Sequence, residues 1–287
     1  MIADCAARSR PIACSKVNTM KRDGMDSLRD RHQFAISLCH DAGVDALSYF
    51  KDRGNLSIDQ KGTQDWVSEA DRNVELLIRE RLAKAWPEDG IYGEEHDPKP
   101  GTSGFDWVID PIDGTTNFVN GIPSWTIVLA GVVEGRTEVG VIHDPNVGET
   151  YAALRGAGAY LNGIKMQVAT GTPLSSGSVA VGYSNRVEAT NVIPVLSDLV
   201  GQGAMYHRNA SGALSIAYVA AGRLLGYMEE HMNAWDCLAG QLLVEEAGGK
   251  VELQDANGMI RDGGRVVLGT PDVFDALVEI ADSAWRA

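Results

Sequence analysis

The stretch Phe105–Asn117, FDWVIDPIDGTTN, places the strongest constraint on how this chain folds. A short apolar run, Trp107-Val108-Ile109, leads to Asp110, and Pro111 and Gly114 then punctuate a turn that also carries Asp113, Thr115 and Thr116. Proline fixes and glycine frees the backbone where a strand has to end abruptly, so the turn can aim Asp110 and Asp113 at one point. Two like charges that close repel one another unless a cation lies between them. Mg²⁺ suits such a place, because it takes carboxylate and carbonyl oxygens and keeps its remaining positions for water and phosphate oxygens. Gly114-Thr115-Thr116 looks like a helix start, whose amides and positive dipole end attract a phosphate group. An Asx turn with a threonine cap would carry the same residues, so the remainder of the chain has to decide.

At 287 residues and 44% hydrophobic, the chain is long and apolar enough to bury a substantial core as one large domain or two modest ones. Its formal net charge of −14 argues against a nucleic-acid partner, which would need a basic stripe. Divalent cations held by acidic side chains would reverse the local field and let an anionic substrate dock. The four cysteines, Cys5, Cys14, Cys39 and Cys237, form no C-x-x-C pair and suggest neither a zinc site nor a disulfide framework, which fits a reducing cytoplasm. No stretch approaches transmembrane length, and residues 1–25, basic but without the apolar run of a signal peptide, are expected to be a disordered tail.

Apolar positions from Leu28 to Phe50 mark a long first helix that Gly54 ends. Leu56-Ser57-Ile58 is strand-like, and Ser68 with Asp71 three residues on resembles a capping box opening a second helix through Leu82. Lys61, Asp65 and Asp71 then fall in the loop and first turn between that strand and helix. Ile91-Tyr92 reads as a strand leading to Gly93-Glu94-Glu95. Trp125–Glu134, Glu138–His143 and Thr150–Leu154 form a meander. A second series follows: a strand from Ser178 to Val181, a helix near Val187–Val200, a strand near Ala204–His207, a helix from Ser211 to Ala221 and a strand at Leu225–Met228. Asp236 opens a helix that carries Leu238, Leu242, Leu243 and Ala247 and is closed by Gly248-Gly249. Two more strands and a last amphipathic helix from about Pro271 complete the chain. This alternation predicts an α/β or α+β sandwich with helices layered between sheets.

Acidic residues at the ends of several separate elements favour a common centre over independent caps. GEE at Gly93–Glu95, DPIDGTTNF at Asp110–Phe118 and WDCLAG…EAGG at Trp235–Gly249, in this order and spacing, resemble the inositol monophosphatase family of Mg²⁺-dependent, lithium-sensitive phosphatases. The resemblance runs from about residue 26 and implies a layered αβαβα sandwich of the inositol monophosphatase or sugar phosphatase type, usually dimeric. One phosphatase domain over 26–287 is expected, with lobes at about 26–170 and 171–287. Carried over residue by residue, it makes Glu94, Asp110 and the Ile112 carbonyl ligands of one Mg²⁺, and Asp110, Asp113 and Asp236 ligands of a second. Glu94 would also help to hold a third, weaker ion. Asp71 would orient the Thr115 hydroxyl, and Thr115 with Glu94 would position and deprotonate the attacking water. Asp113, Gly114, Thr115 and Thr116 match the phosphate-binding turn. Glu229 corresponds to an acceptor for a sugar hydroxyl, with Ser211 and Gly212 against the substrate ring. Lys61 and Asp65 match supporting residues near the metals, although Lys61 stands one residue closer to Asp65 than the commonest pattern has it. The expected enzyme is a cytoplasmic homodimer that takes a small polyol phosphate, with myo-inositol monophosphate first. Histidinol phosphate and other sugar phosphates remain alternatives, and nucleotide 3′-phosphates a weaker one, since no basic group for a second phosphate is evident, with Arg186 and Arg208 unplaced.

A haloacid-dehalogenase-type D-x-D-G-T motif fails on spacing, because Pro111 occupies the position of its nucleophilic aspartate and Asp110 is three residues from Asp113. No G-x-x-x-x-G-K-[ST] is present, which excludes a P-loop enzyme. A non-catalytic metal-binding protein that keeps the fold is disfavoured, because the ligands and Thr115 are all retained.

Overall fold

The computed structural model describes residues 14–62 and 65–285, with side chains described for 27–59 and 67–285. Helix α1 (Cys14–Lys51) includes residues of the segment expected to be a tail, and residues 1–13 lie outside the described part. A hairpin, β1 (Ile58–Gly62) and β2 (Asp65–Ser68), leads into α2 (Glu69–Ala85). The backbones at Lys61 and Asp65 are therefore in strands rather than in a loop, while their side chains lie outside the described residues. Ser68 caps α2 as its sequence suggests: its hydroxyl accepts from Ala70 and Asp71, and the Asp71 carboxylate accepts from the Ser68 amide.

A seven-stranded sheet follows, built from β3 (Gly90–Gly93), β4 (Phe105–Asp113), β5 (Thr126–Val133), β6 (Arg136–Asp144), β7 (Glu149–Leu154), β8 (Gly158–Leu161) and β9 (Ile164–Lys165). The strands lie side by side in chain order, with only β3 and β4 parallel. The short helix α3 (Thr115–Val119) follows β4 directly. Pro111 does not end β4 as the sequence suggested. The strand continues to Asp113, and a register shift between Asp110 and Asp113 absorbs the residue that cannot donate to the ladder. The expected meander is present, and β8 and β9 extend it.

The second sheet is made of β10 (Ser178–Val181), β11 (Met205–His207), β12 (Gly226–Met232), β13 (Lys250–Val251) and β14 (Gly264–Gly269), in the order β11-β10-β12-β14-β13. Between these strands run α4 (Val192–Gly201), α5 (Gly212–Ala220), α6 (Ala234–Glu246) and α7 (Ala256–Asp262), and α8 (Phe274–Ala284) comes last.

Three buried clusters define the layers. Ala35, Leu38 and Ala42 of α1 and Val74, Ile78 and Leu82 of α2 cover one face of the first sheet, against Trp107, Ile109 and Leu129. Its other face, with Val108, Val128 and Ile142, packs on α5 and α6, which meet Tyr227 and Leu268 of the second sheet on their far side. Val195 and Leu199 of α4 and Leu277 and Ile280 of α8 close the outer face of that second sheet. The order is helix, sheet, helix, sheet, helix. Being sandwiched explains why α6 is apolar nearly all round, with Cys237 to Val244 all buried. Gly240 admits Ile216 of α5, since a Cβ there would lie 2.6 Å from that side chain.

Candidate metal and phosphate site

Three element ends converge beside the middle helical layer. Glu94 follows β3, Asp110 lies near the end of β4, and Asp236 is the third residue of α6. The Asp236 carboxylate accepts from the Asn233 amide at 3.2 Å, so a local helix cap turns it to one side. Glu94, Asp110 and Asp236 each bring one carboxylate oxygen to within 4.8 Å of the others. Asp110 is 1% exposed, and burial first, then the charges of Glu94, Asp113, Asp236 and Asp71, push its carboxyl well above the usual range. Burial likewise raises Asp236, against the lowering influence of Arg186. Carboxylates gathered this tightly need protons or a cation. The donor set consists of hard oxygens alone, which fits Mg²⁺.

Asp113 stands outside that group of three. Its carboxylate accepts from the Ser211 hydroxyl and from the amides of Gly212 at 3.1 Å and Ala213 at 3.0 Å. Thr126 adds a longer contact of 3.3 Å. Burial and the Asp236 charge raise its acid pKa to about 7, against those hydrogen bonds. Asp113 thus joins the end of β4 to the start of α5.

Thr115 opens α3, and the preceding Gly114 has φ +100°, a left-handed conformation that favours glycine. The Thr115 hydroxyl lies 3.0 Å from an Asp71 oxygen and 3.1 Å from the Ile112 carbonyl. Burial raises the Asp71 carboxyl, while hydrogen bonds from Ser68 and Thr115 oppose the rise. Asn117, buried at the base of α3, donates at 2.6 Å to both the Ser124 and the Asn209 carbonyls, and so ties this turn to the segment before α5.

That segment borders a hollow of about 120 Å³. Ser211, Gly212 and Glu229, expected near a substrate, all line it, together with Tyr183, Arg208 and Tyr227. Burial raises the Glu229 carboxyl to about 7, and the Tyr227 hydroxyl donates to it. The sequence does not single out Tyr227, and it leaves Arg208 unplaced. Tyr227 precedes Glu229 by two residues on one strand and so shares its face, a signal that period-two reading of β12 provides. Arg208 had none.

The family model described as "Inositol monophosphatase family" matches residues 27–285. An inositol-1-monophosphatase of Rhizobium meliloti is 38% identical over 242 residues, which cover 83% of this chain and 91% of the relative. A Nus factor SuhB of Escherichia coli is 36% identical over 260 residues, covering 88% and 97%. The crystal structure of the extragenic suppressor protein suhB from Bartonella henselae superposes with a TM-score of 0.81 at 32% identity, covering 86% of this chain and 96% of that one. These likenesses define a phosphatase of layered αβαβα architecture. The chain belongs to the inositol monophosphatase family.

Proposed function

We propose that the protein hydrolyses the phosphate monoester of a small polyol, with myo-inositol monophosphate as first candidate, by direct attack of water. The observation that carries this reading is the convergence of Glu94, Asp110 and Asp236 beside the Thr115–Asp71 pair. Glu94, Asp110, Asp236, Asp113 and the Ile112 carbonyl are the residues that would hold two to three Mg²⁺ ions. Bound there, the ions cancel charge on the phosphoryl oxygens, acidify a water and stabilise the departing alkoxide. Thr115, whose hydroxyl donates to Asp71, keeps its oxygen lone pairs for a water proton. Asp71, raised by burial, is the base that draws on that hydroxyl. Glu94 orients the same water from the other side, and Gly114–Thr116 would seat the phosphate. Lys61 and Asp65 are assigned a supporting role near the metals. Glu229 would accept a substrate hydroxyl deep in the hollow, with Ser211 and Gly212 beside the ring. The same carboxylate would receive the amine of histidinol phosphate. A cytoplasmic, lithium-sensitive homodimer completes the proposal.

Arg208 favours a second reading. It lines the hollow, and its charge, with that of Arg186, opposes the burial-driven rise in the Glu229 pKa, so both cations stand near that carboxylate. A substrate with a second anionic group, such as a nucleotide 3′-phosphate, would meet them there. The test is a panel of inositol, sugar, histidinol and nucleotide phosphates, with released phosphate measured in Mg²⁺ and then in EDTA. Turnover that disappears with Mg²⁺ is expected, and no release from any compound in Mg²⁺ would overturn the assignment. Arg208→Gln would raise KM only for doubly anionic substrates if the second reading holds.

A further inference from the structure

Asp71, Glu75 and Arg79 are spaced by four along α2 and therefore lie along one face of it. Asp71 and Glu75 are 1% and 0% exposed, an unusual placement for two acids on neighbouring turns of a helix. Asp71 reaches Thr115 in the turn after β4. One turn further on, Glu75 reaches the other loop of the site. Its Oε2 accepts from the Glu95 amide at 2.8 Å, directly after the metal-site residue Glu94. Arg79 donates from Nε to Glu75 Oε1 at 2.6 Å and from a terminal nitrogen to the His96 carbonyl at 2.9 Å. His96 Nδ1 lies 3.3 Å from Glu75 Oε1. Gly93 completes the arrangement, since a Cβ there would lie 2.2 Å from Glu75 Oε1. The turn 93–96 is thus pressed against a buried carboxylate and pinned by backbone bonds at Glu95 and His96, directly after Glu94, while Gly93 before it is fixed in β3 opposite Ile109.

We propose that Glu75 and Arg79 are positioning residues that hold the Gly93–His96 turn in place and thereby set the affinity of the Glu94–Asp110–Asp236 site for divalent cations. This rests on the metal-site reading above, since neither side chain belongs to the group of carboxylates itself. A carboxylate on a free loop must be ordered as it binds an ion. One whose following residues are bonded to a buried, charge-balanced pair is already ordered, and partners of this kind are worth about 10- to 100-fold in metal affinity. Arg79 supplies what a neutral residue could not: it balances the buried Glu75 and directs a second donor to the turn.

The test uses the full chain stripped of metal, with Mg²⁺ binding followed by calorimetry and Tb³⁺ binding by luminescence. Glu75→Gln and Arg79→Gln should each raise the dissociation constant about 10- to 100-fold. Arg79→Lys, which keeps a charge but gives up the fork, should fall between them and the native protein. Substrate KM and kcat measured at saturating Mg²⁺ should return to native values. Arg265→Gln, which breaks the ion pairs from β14 of the second sheet to Glu252 and to Asp282 of α8, should lower the melting temperature without moving metal affinity. Melting temperatures that fall in the α2 variants with unchanged dissociation constants would overturn the proposal, as would an equal affinity loss in Arg265→Gln. A native protein that binds Mg²⁺ but releases no phosphate would sink the phosphatase reading and leave this one standing. A native protein that binds neither ion would sink both.

Discussion

The Ser211 hydroxyl donates to the Asp113 carboxylate across 98 residues of chain, joining the end of the first sheet's β4 to the start of a helix in the middle layer. The amides of Gly212 and Ala213 bind the same carboxylate, so a residue expected to face metal and phosphate also caps α5. The substrate hollow begins at that cap.

Removing the Ser211 hydroxyl leaves Asp113 with two amide donors. Ser211→Ala should therefore lower stability by about 1 kcal/mol and weaken turnover only modestly. Asp113→Ala would strand three donors of α5, lose about 1–3 kcal/mol and abolish phosphate release. Denaturant unfolding with a phosphate-release assay on both variants checks this.

Thr115 and Asp71 act as one unit if the hydroxyl aligns the water. Thr115→Val and Asp71→Asn should each reduce kcat by about 10²- to 10⁴-fold with little change in KM. The double variant should be scarcely worse than either single one, because the second change removes nothing further. Additive losses would separate the two residues.

Asp113 and Glu229 ordinarily titrate near 3.8 and 4.5, yet burial raises each to about 7. Below about pH 4 folded and unfolded chains both hold these protons. Between there and pH 7 the folded chain retains protons that the unfolded chain has released, so the metal-free protein should lose stability as pH rises. Melting in EDTA at a series of pH values from 4 to 8 should show the decline. Glu229→Gln should flatten it, and Mg²⁺ should restore the most stability at the alkaline end, about 2.7 kcal/mol at a hundred times its dissociation constant.

Gly114 holds φ +100° and faces the Ser124 carbonyl, which a Cβ would approach to 3.0 Å. Gly114→Ala should cost about 1–3 kcal/mol and displace Thr115, lowering kcat more than the stability loss alone explains. Thermal unfolding and steady-state kinetics on one preparation separate the two effects.

What was legible in the sequence was local. The Ser68–Asp71 capping box and the α6 start at Asp236 are set by hydrogen bonds spanning three residues, and both are present. The alternating strands of the meander were legible for the same reason. Pro111 misled because a proline reads as a strand end, whereas the register shift opposite β5 carries the strand past it. Arg208, Arg79 and Glu75 carry no motif, and their relation to the site arises only when distant segments pack.

The sequence by itself determined the order of the elements, the acidic and hydroxyl groups at their ends, and the family they resemble, because caps, turns and hydrophobic periods act over a few residues. Only the tertiary structure decided that Glu94, Asp110 and Asp236 share one centre while Asp113 turns to α5 and Glu75 backs the Glu94 turn. Those distances depend on how two sheets and three helical layers pack, and burial, not spacing along the chain, then raises the acid pKa values of Asp110, Asp113 and Glu229.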